Sequence, residues 1–266
     1  LSLATENFIP ETPFGMVLEA DNGDSLFDLD KNELQKLILD ESFIILRGFE
    51  ALSNEKMCDF ARQFGELLKW DFGYVLELQL KQNPQNHIFS EGRVELHWDG
   101  AFASVEPRFN FFQCLDGSAE TGGGETTFLN TVKFLDSLPQ DSLDMIKDIV
   151  ISYQADKKAH YGGSIETPLV SKHPVTGKLR MQFIEPFNED NADVNPVVTA
   201  IKGFEDEQND RLLKQIIDWC YQSRYFYDHR WQKGDYVMVD NNALLHGRRR
   251  FQGTGLTRSL KRIHII

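Results

Sequence analysis

Apolar residues recur at helical spacing in three stretches of the chain and elsewhere fall into short runs. Residues Lys31–Leu39 place Leu34, Leu37 and Ile38 on one helical face. Ser53 is a suitable N-cap for a second helix carrying Met57, Phe60, Ala61 and Phe64, with Gly65 ending it. A third, Glu205–Tyr221, stacks Leu212, Leu213, Ile216, Ile217 and Cys220. Between and around them lie runs of strand length: Phe43–Leu46, Tyr74–Leu78, Val94–Trp98, Phe109–Cys114, Thr126–Leu129, Val150–Gln154, Leu179–Phe183, Tyr236–Val239 and Leu260–Ile265. Turn-rich segments such as Cys114–Gly117 and Val175–Lys178 separate them. Regular strand–helix alternation is missing, which argues against a doubly wound parallel sheet. The pattern predicts a mainly β protein with flanking helices, built on a double-stranded β-helix (jelly-roll) core.

Composition narrows the picture. With 266 residues, 41% hydrophobic and 26% charged, the chain has enough apolar surface for one large core, so disorder is not expected. The expected organisation is a single domain over residues 1–266. No run of about 18 apolar residues is present for a membrane span, and the N-terminus lacks the basic-then-apolar order of a signal peptide. The formal net charge of −13 repels nucleic acid and anionic lipid. The basic cluster Arg248–Arg250 is too short to reverse that. A small-molecule partner is expected, with no nucleic acid and no membrane; a homo-oligomer is compatible with the sequence. Cys58, Cys114 and Cys220 make no metal-binding spacing and read as reduced, buried thiols of a cytoplasmic protein.

The sharpest chemical signal is His97-Trp98-Asp99. Residues i and i+2 of a strand share a face, so the imidazole and the carboxylate can converge. A second histidine, His246, stands at the end of an apolar segment about 147 residues after Asp99. Two imidazoles and a carboxylate form the facial triad of non-haem Fe(II) oxygenases. The same donors also suit zinc, or ordinary hydrogen-bonded histidines. In the C-terminal strand Arg258, Leu260, Arg262 and His264 alternate with Ser259, Lys261, Ile263 and Ile265. If the arginine face turns inward, anions must answer it, and a dicarboxylate would do so. If it turns outward, Ile263 and Ile265 point in; periodicity leaves both open. The segment Thr121–Phe128 lacks the ending of a phosphate loop and reads as a glycine turn leading hydroxyls into a strand.

In this order the motifs resemble the Fe(II)/2-oxoglutarate-dependent dioxygenases of the TauD/TfdA type. The resemblance rests on His97-Trp98-Asp99, Gly123-Gly124-Glu125-Thr126, His246 and Arg258, with Leu46-Arg47-Gly48-Phe49 near the start. It extends to the PvcB-like isonitrile oxygenases of paerucumarin-type pathways, through Trp70–Leu78, His87-Ile88-Phe89, Leu96–Gly100, His229-Arg230-Trp231 and Leu244–Arg248. It implies His97, Asp99 and His246 as ligands of Fe(II), with 2-oxoglutarate and O2 as cosubstrates. Arg258, assisted by Thr126, would hold the distal carboxylate of 2-oxoglutarate, and Arg262 an anionic group of the substrate. The implied substrate is an amino-acid isonitrile, most simply that of tyrosine, converted to a vinyl isonitrile with loss of its carboxylate. Tyr74, His87, Phe89 and Tyr161 are candidates for the substrate pocket, whereas His160, His173 and His229 read as non-ligands. The competing readings are hydroxylation of a free or carrier-bound amino acid, a zinc hydrolase, and a non-catalytic jelly-roll binding protein.

Overall fold

Alternation along the strands sorts the apolar residues onto the two faces of each sheet, and both faces are used. The computed structural model describes residues 8–11, 13–79, 89–117, 123–158, 161–193, 196–252 and 258–266. In chain order the strands are β1 (Phe8–Pro10), β2 (Met16–Asp24), β3 (Phe43–Phe49), β4 (Leu76–Leu78), β5 (Val94–His97), β6 (Phe109–Asp116), β7 (Thr126–Asn130) and β8 (Val150–Lys158). They continue with β9 (Tyr161–Pro168), β10 (Val170–Lys172), β11 (Leu179–Met181), β12 (Val198–Ile201), β13 (Phe226–His229), β14 (Tyr236–Asp240), β15 (Leu244–Arg248) and β16 (Ser259–Ile265). Among the described residues the larger sheet runs β1-β2-β3-β14-β6-β16-β4 and the facing sheet β13-β7-β15-β5. This is the expected jelly-roll.

The apolar residues form three layers. Phe43, Ile45, Phe112, Phe128, Val237, Val239 and Leu260 fill the space between the two main sheets. The outer face of the larger sheet carries Ile44, Leu46, Phe111, Met238, Ile263 and Ile265, roofed by α1 (Lys31–Glu41) and α2 (Asn54–Ala61). The outer face of the smaller sheet presents Leu96, Leu129 and Leu245 to a further layer. That layer contains α3 (Thr131–Ser137), α4 (Gln140–Ile146), the β12-β8-β9 sheet and α5 (Asp206–Gln222).

The local signals act as expected at several ends. Ser53 caps α2 by accepting from the Lys56 backbone N–H, and Asp30 caps α1 through Asn32 and Glu33. The second helix ends at Ala61, before Gly65, because its last turn tightens, with the Gln63 N–H bonding to Phe60 O. The short helices α3 and α4 escape a periodicity reading, since seven residues hold barely two turns each. The parallel pairing of β2 with β3 is likewise invisible locally, because it joins segments on either side of α1. The C-terminal strand resolves neither way in isolation: Arg258, Leu260 and His264 are buried on one face while Ile263 and Ile265 are buried on the other. The three cysteines are free and buried. No helix among the described residues is long and apolar enough to cross a membrane.

Candidate active site

His97 is the last residue of β5, and the antiparallel register pairs it with His246 on β15. Their ring centroids are 4.3 Å apart. Gly247 permits that approach, for a Cβ there would lie 2.5 Å from Val94 O and 2.9 Å from Thr127 Oγ1. Asp99 arrives differently from the i, i+2 expectation. β5 ends at His97, and Asp99 sits in the following turn. Asn241 fixes it there, accepting from the Asp99 N–H at 3.0 Å while its amide donates to Asp99 O at 2.9 Å and Pro107 O at 2.8 Å. Asn241 belongs to the β14–β15 connection, so the turn that leads towards His246 also sets the carboxylate.

The donor set suits a divalent ion. His97 Nε2 lies 3.8 Å from Asp99 Oδ1, and His246 Nε2 lies 3.6 Å from Asp99 Oδ2. The ligand atoms of all three residues lie within 4.8 Å of one another. Two metal bonds of about 2.1 Å span up to about 4.2 Å, so these three side chains are close enough for one ion to lie between them. His97 Nδ1 is 2.8 Å from Glu95 O, an acceptor only, which puts the proton on Nδ1 and the lone pair on Nε2. Burial pushes His246 down to about 3, against the pull of Asp99, so its ring is neutral. Burial alone would raise Asp99, but the Arg262 guanidinium, together with the hydrogen bond from His264, holds its carboxyl well below the ordinary range. A carboxylate and neutral imidazoles are what a ferrous ion requires.

The arginines take distinct places. Arg258 is buried; it donates to Gly124 O at 2.8 Å and Thr126 Oγ1 at 3.4 Å, and its guanidinium lies 5.4 Å from the Phe251 ring centroid. No carboxylate bonds it among the described residues, and burial lowers it to about 10. Thr126 Oγ1 also accepts from Trp231 Nε1 at 2.8 Å, which leaves its own proton to donate elsewhere. Arg262 NH1 bonds Asp99 Oδ2 at 2.9 Å, while its buried Nε has no hydrogen-bond partner among the described residues. The expectation of Arg262 as a purely substrate-facing group therefore needs enlarging: one edge of its guanidinium steadies Asp99.

The glycine turn has a packing reason. Gly124 has φ +76°, and a Cβ there would lie 2.3 Å from Phe251 Cε1. The ring that supports Arg258 thus occupies the space a side chain would need. Gly124→Ala is expected to cost about 1–3 kcal/mol of stability and to weaken 2-oxoglutarate binding; urea unfolding and cosubstrate titration check both.

The pocket candidates separate. Tyr74 packs with the helix-side layer of the larger sheet under Arg62, which is not the triad's side, because it follows α2 onto that face. Phe89 packs against the layer between the sheets. His87 and His160 lie outside the described residues, as does the side chain of Tyr161. His173 bonds Asp240 at 2.8 Å, and His229 sits among Phe43, Tyr227 and Trp231, so neither joins the triad.

Several contributors escaped the sequence reading. Asn110 and His264 both bond Asp99 Oδ2, at 2.8 and 3.0 Å. The signal for Asn110 was present, a lone amide inside the apolar run Phe109–Phe112. In the polar segment that follows β11, Asn188 and Asn191 donate to the two oxygens of Glu95, two residues before His97. Glu185 pins the same strand, taking the Leu96 N–H at 3.2 Å and pairing with Arg93 at 2.9 Å.

The family model for the taurine catabolism dioxygenase TauD, TfdA family matches residues 8–264. The chain belongs to the TauD/TfdA dioxygenase family. Among curated TauD/TfdA relatives, it is 40% identical over 256 residues to 3-((Z)-2-isocyanoethenyl)-1H-indole synthase of Fischerella ambigua, covering 96% of this chain and 93% of that protein. It is 34% identical over 255 residues to tyrosine isonitrile desaturase of Pseudomonas aeruginosa, covering 95% and 87%. The crystal structure of PvcB, an Fe, alpha-ketoglutarate-dependent oxygenase from an isonitrile synthetic pathway, superimposes with a TM-score of 0.80 at 30% identity, over 99% of this chain and 93% of that one.

Proposed function

We propose that this TauD/TfdA dioxygenase, acting as a single catalytic domain over residues 1–266, converts an aromatic amino-acid isonitrile into the corresponding vinyl isonitrile. The observation that carries the reading is the meeting of His97, Asp99 and His246 beside a strand whose Arg262 touches Asp99 and whose Arg258 is buried without a carboxylate. The named activities of the relatives supply the substrate class. The balanced reaction consumes the isonitrile acid, 2-oxoglutarate and O2. It yields the vinyl isonitrile, succinate, two CO2 and water; oxygen is reduced while both organic acids are oxidised.

Iron held by His97, Asp99 and His246 would supply oxygen activation and removal of a substrate hydrogen. The rest falls to the chain's own groups. Arg258 would pair with the distal carboxylate of 2-oxoglutarate, with the free proton of Thr126 donated to the same group. The open edge of Arg262 would face the carboxylate that the substrate loses, within reach of Asp99. Apolar walls between the sheets exclude water, which strengthens both pairings.

The test is anaerobic loading with Fe(II) and 2-oxoglutarate, addition of tyrosine or tryptophan isonitrile, then oxygen and mass analysis. The expected product lacks CO2 and two hydrogens relative to the substrate, with one succinate formed per turnover. A product heavier by one oxygen would move the reading to hydroxylation. Absence of succinate with every candidate would favour a binding protein.

A further inference from the structure

We infer that Trp70 and His264 form a positioning pair that dedicates one oxygen of Asp99 to hydrogen bonds and leaves the other for the metal. This inference rests on the reading of His97, Asp99 and His246 as a metal site, and it adds two residues outside that triad.

Asp99 Oδ2 receives three donors: Asn110 Nδ2 at 2.8 Å, Arg262 NH1 at 2.9 Å and His264 Nε2 at 3.0 Å. A carboxylate offers about four lone-pair sites over both oxygens, so three donors saturate Oδ2. Oδ1, 3.8 Å from His97 Nε2, is the oxygen left to ligate, while Oδ2, 3.6 Å from His246 Nε2, is held by the three donors.

His264 can be such a donor only if its proton is on Nε2, and Trp70 decides that. The Trp70 indole N–H points at His264 Nδ1 at 3.0 Å. An indole N–H donates and never accepts, so Nδ1 must present its lone pair. The neutral ring then carries its proton on Nε2, towards Asp99. Turning the ring over would forfeit both bonds, so the orientation is fixed as well. An imidazole nitrogen that carries a proton cannot ligate a metal, which keeps this third histidine out of the coordination shell. The indole itself is held in place. Trp70 and Gly73 exchange backbone hydrogen bonds at 2.9 and 3.0 Å, and Phe72 stacks on the Trp70 ring at 6.3 Å.

The experiment titrates the apoprotein with Mn(II), a redox-silent stand-in for Fe(II), in wild type, His264→Phe, His264→Gln and Trp70→Phe. Glutamine can reproduce both bonds, its amide N–H donating to Asp99 and its carbonyl accepting from Trp70, without being able to ionise. His264→Phe is expected to weaken Mn(II) binding about tenfold or more, and Trp70→Phe by a smaller but measurable factor. His264→Gln should stay within about threefold of wild type. Wild-type affinity in folded His264→Phe overturns the inference, as does a glutamine variant that folds like wild type yet binds as weakly as the phenylalanine one. Should His264→Phe fail to fold, Trp70→Phe decides: unchanged affinity overturns the pair and loss supports it. No substrate enters this titration, so failure of the isonitrile reading would leave its outcome intact.

Discussion

Asp99→Ala is expected to abolish turnover and to weaken the fold in the same step. The carboxylate is more than a candidate ligand, for it answers Arg262, His264 and Asn110 from inside the protein. Removing it leaves the Arg262 guanidinium buried beside an empty space, and breaking such a buried pair costs about 3–5 kcal/mol. Urea unfolding should therefore move to lower denaturant. In wild type, Mn(II) at a hundredfold excess over its Kd adds about 2.7 kcal/mol; in the variant that gain should vanish. Asp99→Asn separates the two roles, because the amide oxygen can still accept from the surrounding donors. It should recover most of the stability and none of the succinate formation. Wild-type turnover in Asp99→Ala would remove the residue from the site. Wild-type stability would show that Arg262 does not depend on it.

What the sequence made legible follows from how far each signal reaches along the chain. The jelly-roll class was readable because short apolar runs and turn residues are local, and the helices with long amphipathic faces, α1, α2 and α5, were readable for the same reason. The candidate ligands were legible because His97 and Asp99 stand two positions apart and His246 follows a clear apolar segment. The support around them was not, because it is made between distant segments. Asn241 clamps a residue 142 positions away, and Trp70 reaches His264 across 194. The reach from Arg262 to Asp99 is of the same kind, at 163 positions. Strand alternation could say that Arg258, Arg262 and His264 share a face; it could not say what stands opposite that face.

The C-terminal strand shows why the question of inward or outward had no answer in one dimension. A two-layer protein would bury one face of β16 and wet the other. Here α2 roofs the outer face, so Ile263 and Ile265 are as buried as the residues facing the site. The third layer converts an either-or into both. It also explains how polar groups can be spent on the inner face, since the outer face supplies the strand's apolar burial by itself.

Arg258→Gln should separate stability from function in the opposite sense to Asp99→Ala. The guanidinium is buried against Gly124 O, Thr126 and the Phe251 ring. Burial dominates its environment and lowers it to about 10, and the one group that pulls it upward, Cys114, is itself pushed up to about 12 by burial and is a neutral thiol. A value near 10 keeps Arg258 charged at neutral pH, so the desolvation cost is fully present there and is relieved only as pH rises beyond that value. Glutamine removes the charge while keeping a donor for Gly124 O, so the unliganded variant is expected to unfold no earlier than wild type. Its binding of 2-oxoglutarate should collapse. Losing one partner of a buried, hydrogen-bonded charge pair costs about 2–5 kcal/mol, which is about thirtyfold to several thousandfold in affinity. The expected kinetic signature is a raised KM for 2-oxoglutarate with a much smaller change in kcat at saturation. Cosubstrate should stabilise wild type against urea and leave the variant unmoved. Unchanged affinity for 2-oxoglutarate would show that the buried cation serves something else, and marked destabilisation of the unliganded variant would show that it already has an anionic partner.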